Sequence, residues 1–92
     1  MGIDIYNFLQ GLNQADEIRV RVYDCNSERC VFNKASDLTE SNIITELEET
    51  NGLDTYEIES VDVFWCEDEK RICFEFNISI DECEADMFEE VM

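Results

Sequence analysis

Ninety-two residues make one domain, spanning 1–92, that buries roughly 60 to 70 per cent of its unfolded surface around a single modest core. Twenty-four Asp and Glu against six Lys and Arg give a formal charge of −18, a sign that disfavours direct contact with nucleic acid or an anionic membrane. The absence of histidine excludes Ser-His-Asp and Cys-His catalytic arrangements and mixed Cys/His zinc sites, and 45 per cent hydrophobic residues exclude a disordered acidic tail.

The charge is unevenly placed. Residues 1–36 hold five acids and four bases, whereas residues 37–92 hold nineteen acids against Lys70 and Arg71, a net −17. No apolar run approaches the ~18 residues that cross a bilayer, and Met1 to Gln14 lacks the basic start and apolar middle of a signal peptide. Five cysteines, an odd number, fit reduced thiols better than a disulfide framework. The expected location is the cytoplasm.

In chain order, Ile5, Phe8, Leu9 and Leu12 follow the spacing of one helix face behind Asp4, which is placed to cap it, and the segment runs down near Asn13. From Glu17 to Tyr23 the pattern alternates, with Ile18, Val20 and Val22 on one face of a strand. Asp24 to Glu28 is turn-like, and pairing Val22 with Cys30 and Val20 with Phe32 closes a first hairpin with its apolar side chains together. Asp37 and Glu40 have capping-box spacing, Leu38, Ile43, Ile44 and Leu47 form a stripe, and Gly52 sits where a stop belongs, so a second helix is expected over about 38–50.

The next strand begins with Tyr56 and Ile58 inward and resumes as Val61, Val63 and Trp65, a phase slip near Ser60 such as a bulge causes. Ile72, Phe74, Phe76 and Ile78 form its partner. A short loop at Glu67 to Lys70 pairs Trp65 with Ile72, Val63 with Phe74 and Val61 with Phe76, leaving Asp62 and Glu75 to meet on the other face. Asp81 to Met92 places Cys83, Met87 and Val91 four residues apart, with Ala85 and Phe88 beside them, the pattern of a third, acidic helix. The order α-β-β-α-β-β-α predicts an α+β fold, a four-stranded antiparallel sheet with helices on one face.

Little in this chain carries catalytic chemistry. Cys25-x4-Cys30 and Cys66-x6-Cys73 match neither paired Cys-x2-Cys zinc motifs nor iron–sulfur runs. Cys30 reads as a core residue, and Cys66 and Cys73 as outward strand positions. Asp81-Glu-Cys-Glu-Ala-Asp lacks the oxygen ligands and glycine of an EF-hand. Gly2, Gly11 and Gly52 stand alone, so there is no phosphate loop. No enzymatic activity, no metal and no cofactor is expected.

The carboxylates are the functional candidate. Asp81/Glu84, Glu82/Asp86, Asp86/Glu89 and Asp86/Glu90 are like-charge neighbours on a helix, each costing ~0.2 to 0.5 kcal/mol. Solubility needs a net charge of only ~2 to 8 in a small domain. Acids that weaken the fold and exceed that need point to a basic partner surface. Alternate residues on a strand repeat every ~6.6 to 6.8 Å, comparable to the step between phosphates along a nucleic-acid strand. Glu57, Glu59, Asp62 and Glu75 on the sheet, Glu67, Asp68 and Glu69 in the hairpin loop, and Asp81, Glu82, Glu84, Asp86, Glu89 and Glu90 in the last helix are therefore the expected partner-binding surface, a curved row imitating phosphates. Tyr23, Tyr56 and Phe64 are candidate aromatic anchors.

In size, acidity and lack of catalytic groups, residues 37–92 resemble the small phage-encoded DNA-mimic inhibitors, the anti-CRISPR proteins and, next to them, anti-restriction proteins. These share no common fold or motif, so the resemblance is one of character. It implies an inhibitor, acting in the cytoplasm of a bacterial host cell, that occupies the DNA channel or protospacer-adjacent-motif reader of a CRISPR effector. Immunity proteins and nuclease inhibitors share the same acidity and remain an alternative. An acid-coated structural domain, the third reading, predicts acids on every face. Either a monomer or a homodimer is compatible with Val31, Phe64 and Cys73 on the polar sheet face.

Overall fold

A computed structural model of the chain describes residues 2–10, 18–35 and 43–91. Asp4 accepts a hydrogen bond at 2.8 Å from the Asn7 backbone N–H, capping helix α1 (Ile5–Gln10) as the sequence predicts. Strands β1 (Ile18–Asp24) and β2 (Arg29–Ala35) form the first hairpin, and helix α2 (Ile43–Glu49) crosses to the second hairpin, β3 (Ser60–Cys66) and β4 (Arg71–Ile78). The expected capping box at Asp37 and Glu40, and Leu12 and Asn13 at the end of the first helix, lie outside the described residues. Asn51 (φ 53°) and Gly52 (φ 71°) stop the chain after α2, and the Gly52 N–H returns to the Glu48 carbonyl at 3.1 Å. A 3₁₀ turn at Leu53–Thr55, not foreseen in the sequence, then buries Leu53.

The fold is α+β, but the sheet is mixed. Its order is β2-β1-β4-β3, with β1 and β4 parallel from Ile18 opposite Ile72 to Asp24 opposite Ile78. The cause is α2: a helical crossover returns the chain to the end from which β2 set out, so β3 runs parallel to β2 and β4 parallel to β1. This puts the two most buried strands, β1 and β4, in the centre. Each hairpin remains antiparallel.

The second hairpin has the predicted register, with Trp65 opposite Ile72, Val63 opposite Phe74, Val61 opposite Phe76 and Asp62 opposite Glu75. The first does not. Val22 faces Phe32, Val20 faces Lys34 and Tyr23 faces Cys30, because Val31 is an extra residue in β2. That bulge turns Val31 into the core, off the polar face where the sequence placed it, and leaves Cys30 buried but outside the core cluster. The phase slip near Ser60 is a bend at Glu59 where the pairing partner changes: the Ile58 N–H bonds the Ile3 carbonyl at 2.9 Å, and the Glu59 N–H bonds Asn77 at 2.8 Å.

Ile5 and Leu9 of α1, Ile43, Ile44 and Leu47 of α2, and Val20, Val22, Phe74, Phe76 and Ile78 of the central strands make the core. Phe8 packs edge-on against Phe74 and Phe76, with ring centroids 5.8 and 5.2 Å apart. The expected third helix is a single turn, α3 (Glu82–Ala85), with Cys83 and Met87 exposed and Phe88 buried. Like charges along it and an acidic last turn offer no helical gain. The tail is instead held by the Val91 N–H on the Cys30 carbonyl at 2.8 Å and by the Asn51 side-chain amide on the Met87 carbonyl at 2.7 Å.

Candidate acidic interface

Two ends of the sheet carry the predicted acids, separated by the ~20 Å length of seven extended residues in β3. At the hairpin end, Glu67 and Asp68 are exposed, and Glu67 meets Lys70 at 3.5 Å in a solvent-facing pair that contributes little. Glu69 turns back over the sheet. Both its oxygens accept from Arg19 Nε, at 2.9 and 2.8 Å, and Arg71 stands 3.4 Å away. Glu75 pairs with Arg21 at 2.8 Å on the same outer face. Glu69 and Glu75 are thus part of an internal arginine network, and the sheet face over β1 and β4 is charge-balanced.

The opposite end is different. Glu57 is bridged to Asp4 in backbone pairing, Glu59 accepts from the Ser79 hydroxyl, and Asp62 accepts from the Asn77 amide at 3.4 Å. β4 delivers Asp81, Glu82, Glu84 and Asp86 to this end, and Glu84 accepts from the Tyr56 hydroxyl at 3.0 Å. Among the described residues no base forms an ion pair with Glu57, Glu59, Asp81, Glu82, Glu84 or Asp86. Glu89 and Glu90 are exposed on the tail leading to Val91 beside β2.

Acidic neighbours add to burial in raising nearby groups. Burial first, then Glu84 as hydrogen-bond acceptor and charge, pushes the Tyr56 phenol up to about 12. The Cys25 thiol is raised by partial burial and then by Glu59 and Asp24, and the Tyr23 phenol by partial burial and then by Glu28. Cys73, at the other end, is raised by burial but pulled back by Arg21 and Arg19.

Asp24, which the sequence read only as a turn residue, holds this end together. It is fully buried and accepts from the Asn26 N–H at 3.0 Å, the Ser27 N–H and hydroxyl, and the Ile80 N–H at 2.9 Å. Burial alone would raise its pKa; the bonds from Ser27, Ile80 and Asn26 outweigh that and hold the carboxyl below the usual range.

Sequence reasoning also missed an apolar strip. Val63 (57 per cent exposed), Trp65 (54) and Ile72 (40), which the alternation turns inward, are exposed on the helix-bearing face, while Phe64 (45) is exposed on the other face, where the sequence places it, opposite Cys73. Of the candidate anchors, Phe64 is exposed, while Tyr23 and Tyr56 are half-buried.

What the fold and surface define is an acidic α+β module with one charge-balanced sheet face and one intensely negative end. No protein-family model, curated protein or solved structure matches the chain. Among the described residues no helix is long and apolar enough to cross a membrane.

Proposed function

We propose that the protein inhibits a nucleic-acid-binding enzyme by DNA mimicry, as an anti-CRISPR protein that occupies the DNA- or motif-binding site of a CRISPR effector. The observation that carries this reading is the group Glu57, Glu59, Asp81, Glu82, Glu84 and Asp86, gathered at one end of the sheet with no ion pair to a base among the described residues and with Arg29, which donates to the Ala85 carbonyl at 3.2 Å, set against six carboxylates. An acid-coated domain has no reason to keep the face over β1 and β4 charge-balanced while setting a single arginine, Arg29, against the six carboxylates of this end. An Arg- and Lys-lined DNA channel would meet that end with the fast, salt-sensitive association it uses for phosphates.

The test is capture of CRISPR effectors, loaded with guide RNA, on the tagged protein at ~0.15 M salt. Retention that the effector's target duplex competes away, and that Glu57→Gln with Glu59→Gln and Glu84→Gln weakens, supports mimicry. Capture of a restriction enzyme or nuclease with the same competition keeps the mechanism and changes the target. Retention of nothing basic, or of proteins indifferent to duplex, overturns it.

A further inference from the structure

Among the described residues β3 is an edge strand, and its seven residues, Ser-Val-Asp-Val-Phe-Trp-Cys, contain no Lys and no Pro, the usual guards of a free edge. Its one charged residue is Asp62. Exposed apolar side chains stand on both faces, Val63 and Trp65 with Ile72 on one and Phe64 on the other. Acids lie at each end: Glu57 and Glu59 before the strand, Glu67 and Asp68 after it.

That arrangement selects its occupant by charge. In an antiparallel pairing of two copies centred on Val63, Glu59 of one chain stands opposite Glu67 of the other at both ends, and each chain brings a net −18. Like charges directly opposite destabilise strand pairing. A segment with Lys or Arg at its ends meets the same acids favourably.

We infer that the open edge of β3, with Val63, Trp65, Phe64 and Ile72, takes up an extended segment of a basic partner that is apolar at alternate central positions and basic at both ends. The added strand completes the sheet through main-chain hydrogen bonds, its alternate side chains lie on the apolar strip, and its terminal cations meet the acids. This rests on the reading of a basic partner and adds how the partner is gripped: by strand addition as well as by charge.

The test uses the full chain and a ten-residue peptide alternating Val and Lys, with paired Lys at each end, beside a peptide of the same composition whose Val residues are contiguous. Trp65 is the only tryptophan, so its fluorescence reports the strip directly, and backbone NMR shifts report the edge. The expected result is saturable binding with a blue shift of Trp65, perturbed amides across Ser60–Cys66, and affinity at least about tenfold weaker for the contiguous peptide and for Val63→Lys. Equal affinity for both peptides, no binding of either, or self-association at ~0.15 M salt that Val63→Lys abolishes each overturns the inference. The proposed function fails separately: an effector that binds Val63→Lys undiminished and is still displaced by duplex leaves mimicry intact without strand addition. Peptide docking without duplex competition does the reverse.

Discussion

Replacing Asp24 by Ala removes a buried carboxylate that accepts bonds from three backbone N–H groups and a hydroxyl. Asn26 is exposed, so its freed N–H can turn to water; Ile80 is buried, and its N–H cannot. A buried donor left unsatisfied costs ~1 to 3 kcal/mol, and bonds to a charged group contribute ~1.5 to 3 kcal/mol, so a loss of about 3 kcal/mol is expected at neutral pH. In a domain of this size that lowers Tm by roughly 12 to 24 °C. The pH dependence fixes the mechanism. Asp24 has a folded-state pKa below its unfolded value near ~3.9, so its contribution is fully present above that value and is lost as pH falls through the folded pKa. Urea denaturation of both proteins between about pH 3 and 7 should give a constant gap above about pH 5 that narrows below about 4. A gap under about 0.5 kcal/mol at pH 7, the range of an indifferent surface change, or one that widens on acidification, would refute the account.

Phe76 is fully buried on the central β4, in contact with the Phe8 ring, so Phe76→Ala should cost ~3 to 5 kcal/mol in urea melts; a cost below about 2 would mean that the core closes around the gap. Tyr56 should titrate near 12 in the folded protein, so its contribution to stability is complete below the unfolded value near ~10 and is lost as pH rises through 12. Glu84→Gln should move that phenol downward in an ultraviolet titration, and an unchanged value would remove Glu84 as a cause. With Ellman's reagent, exposed Cys25 and Cys83 should react first, Cys25 being slowed by its raised pKa, Cys66 next, and buried Cys30 and Cys73 only on unfolding. Early reaction of Cys73 would show that the arginine-covered sheet face opens.

Local signals were legible where they did not depend on what lay across the sheet. Asp4 as a cap, Gly52 as a stop and the whole register of β3 on β4 follow from spacing alone. The register of β1 on β2 does not, since Val31 joins the core only because the bulge rotates it there, and Val-Phe in sequence reads equally well without one. Parallel pairing of β1 with β4 was implicit in a helix between two hairpins, a crossover signal outweighed by the tight turns on either side. The candidate surface divided in the same way. Exposure of Asp81, Glu82 and Glu67 could be read from composition, whereas capture of Glu69 and Glu75 by Arg19 and Arg21 needed strands distant in sequence to lie side by side.

The two borders of the sheet are unlike. Along β2, the Val91 N–H already occupies the Cys30 carbonyl, and the acidic residues Glu89 and Glu90 flank that contact. A head-to-tail chain of sheets grows only if each subunit offers a free border on both sides, and a repeat that cannot propagate ends at one joint. The tail strapped to β2 at Cys30 makes the two borders inequivalent, and an inequivalent pair of borders discourages an open head-to-tail repeat of sheets.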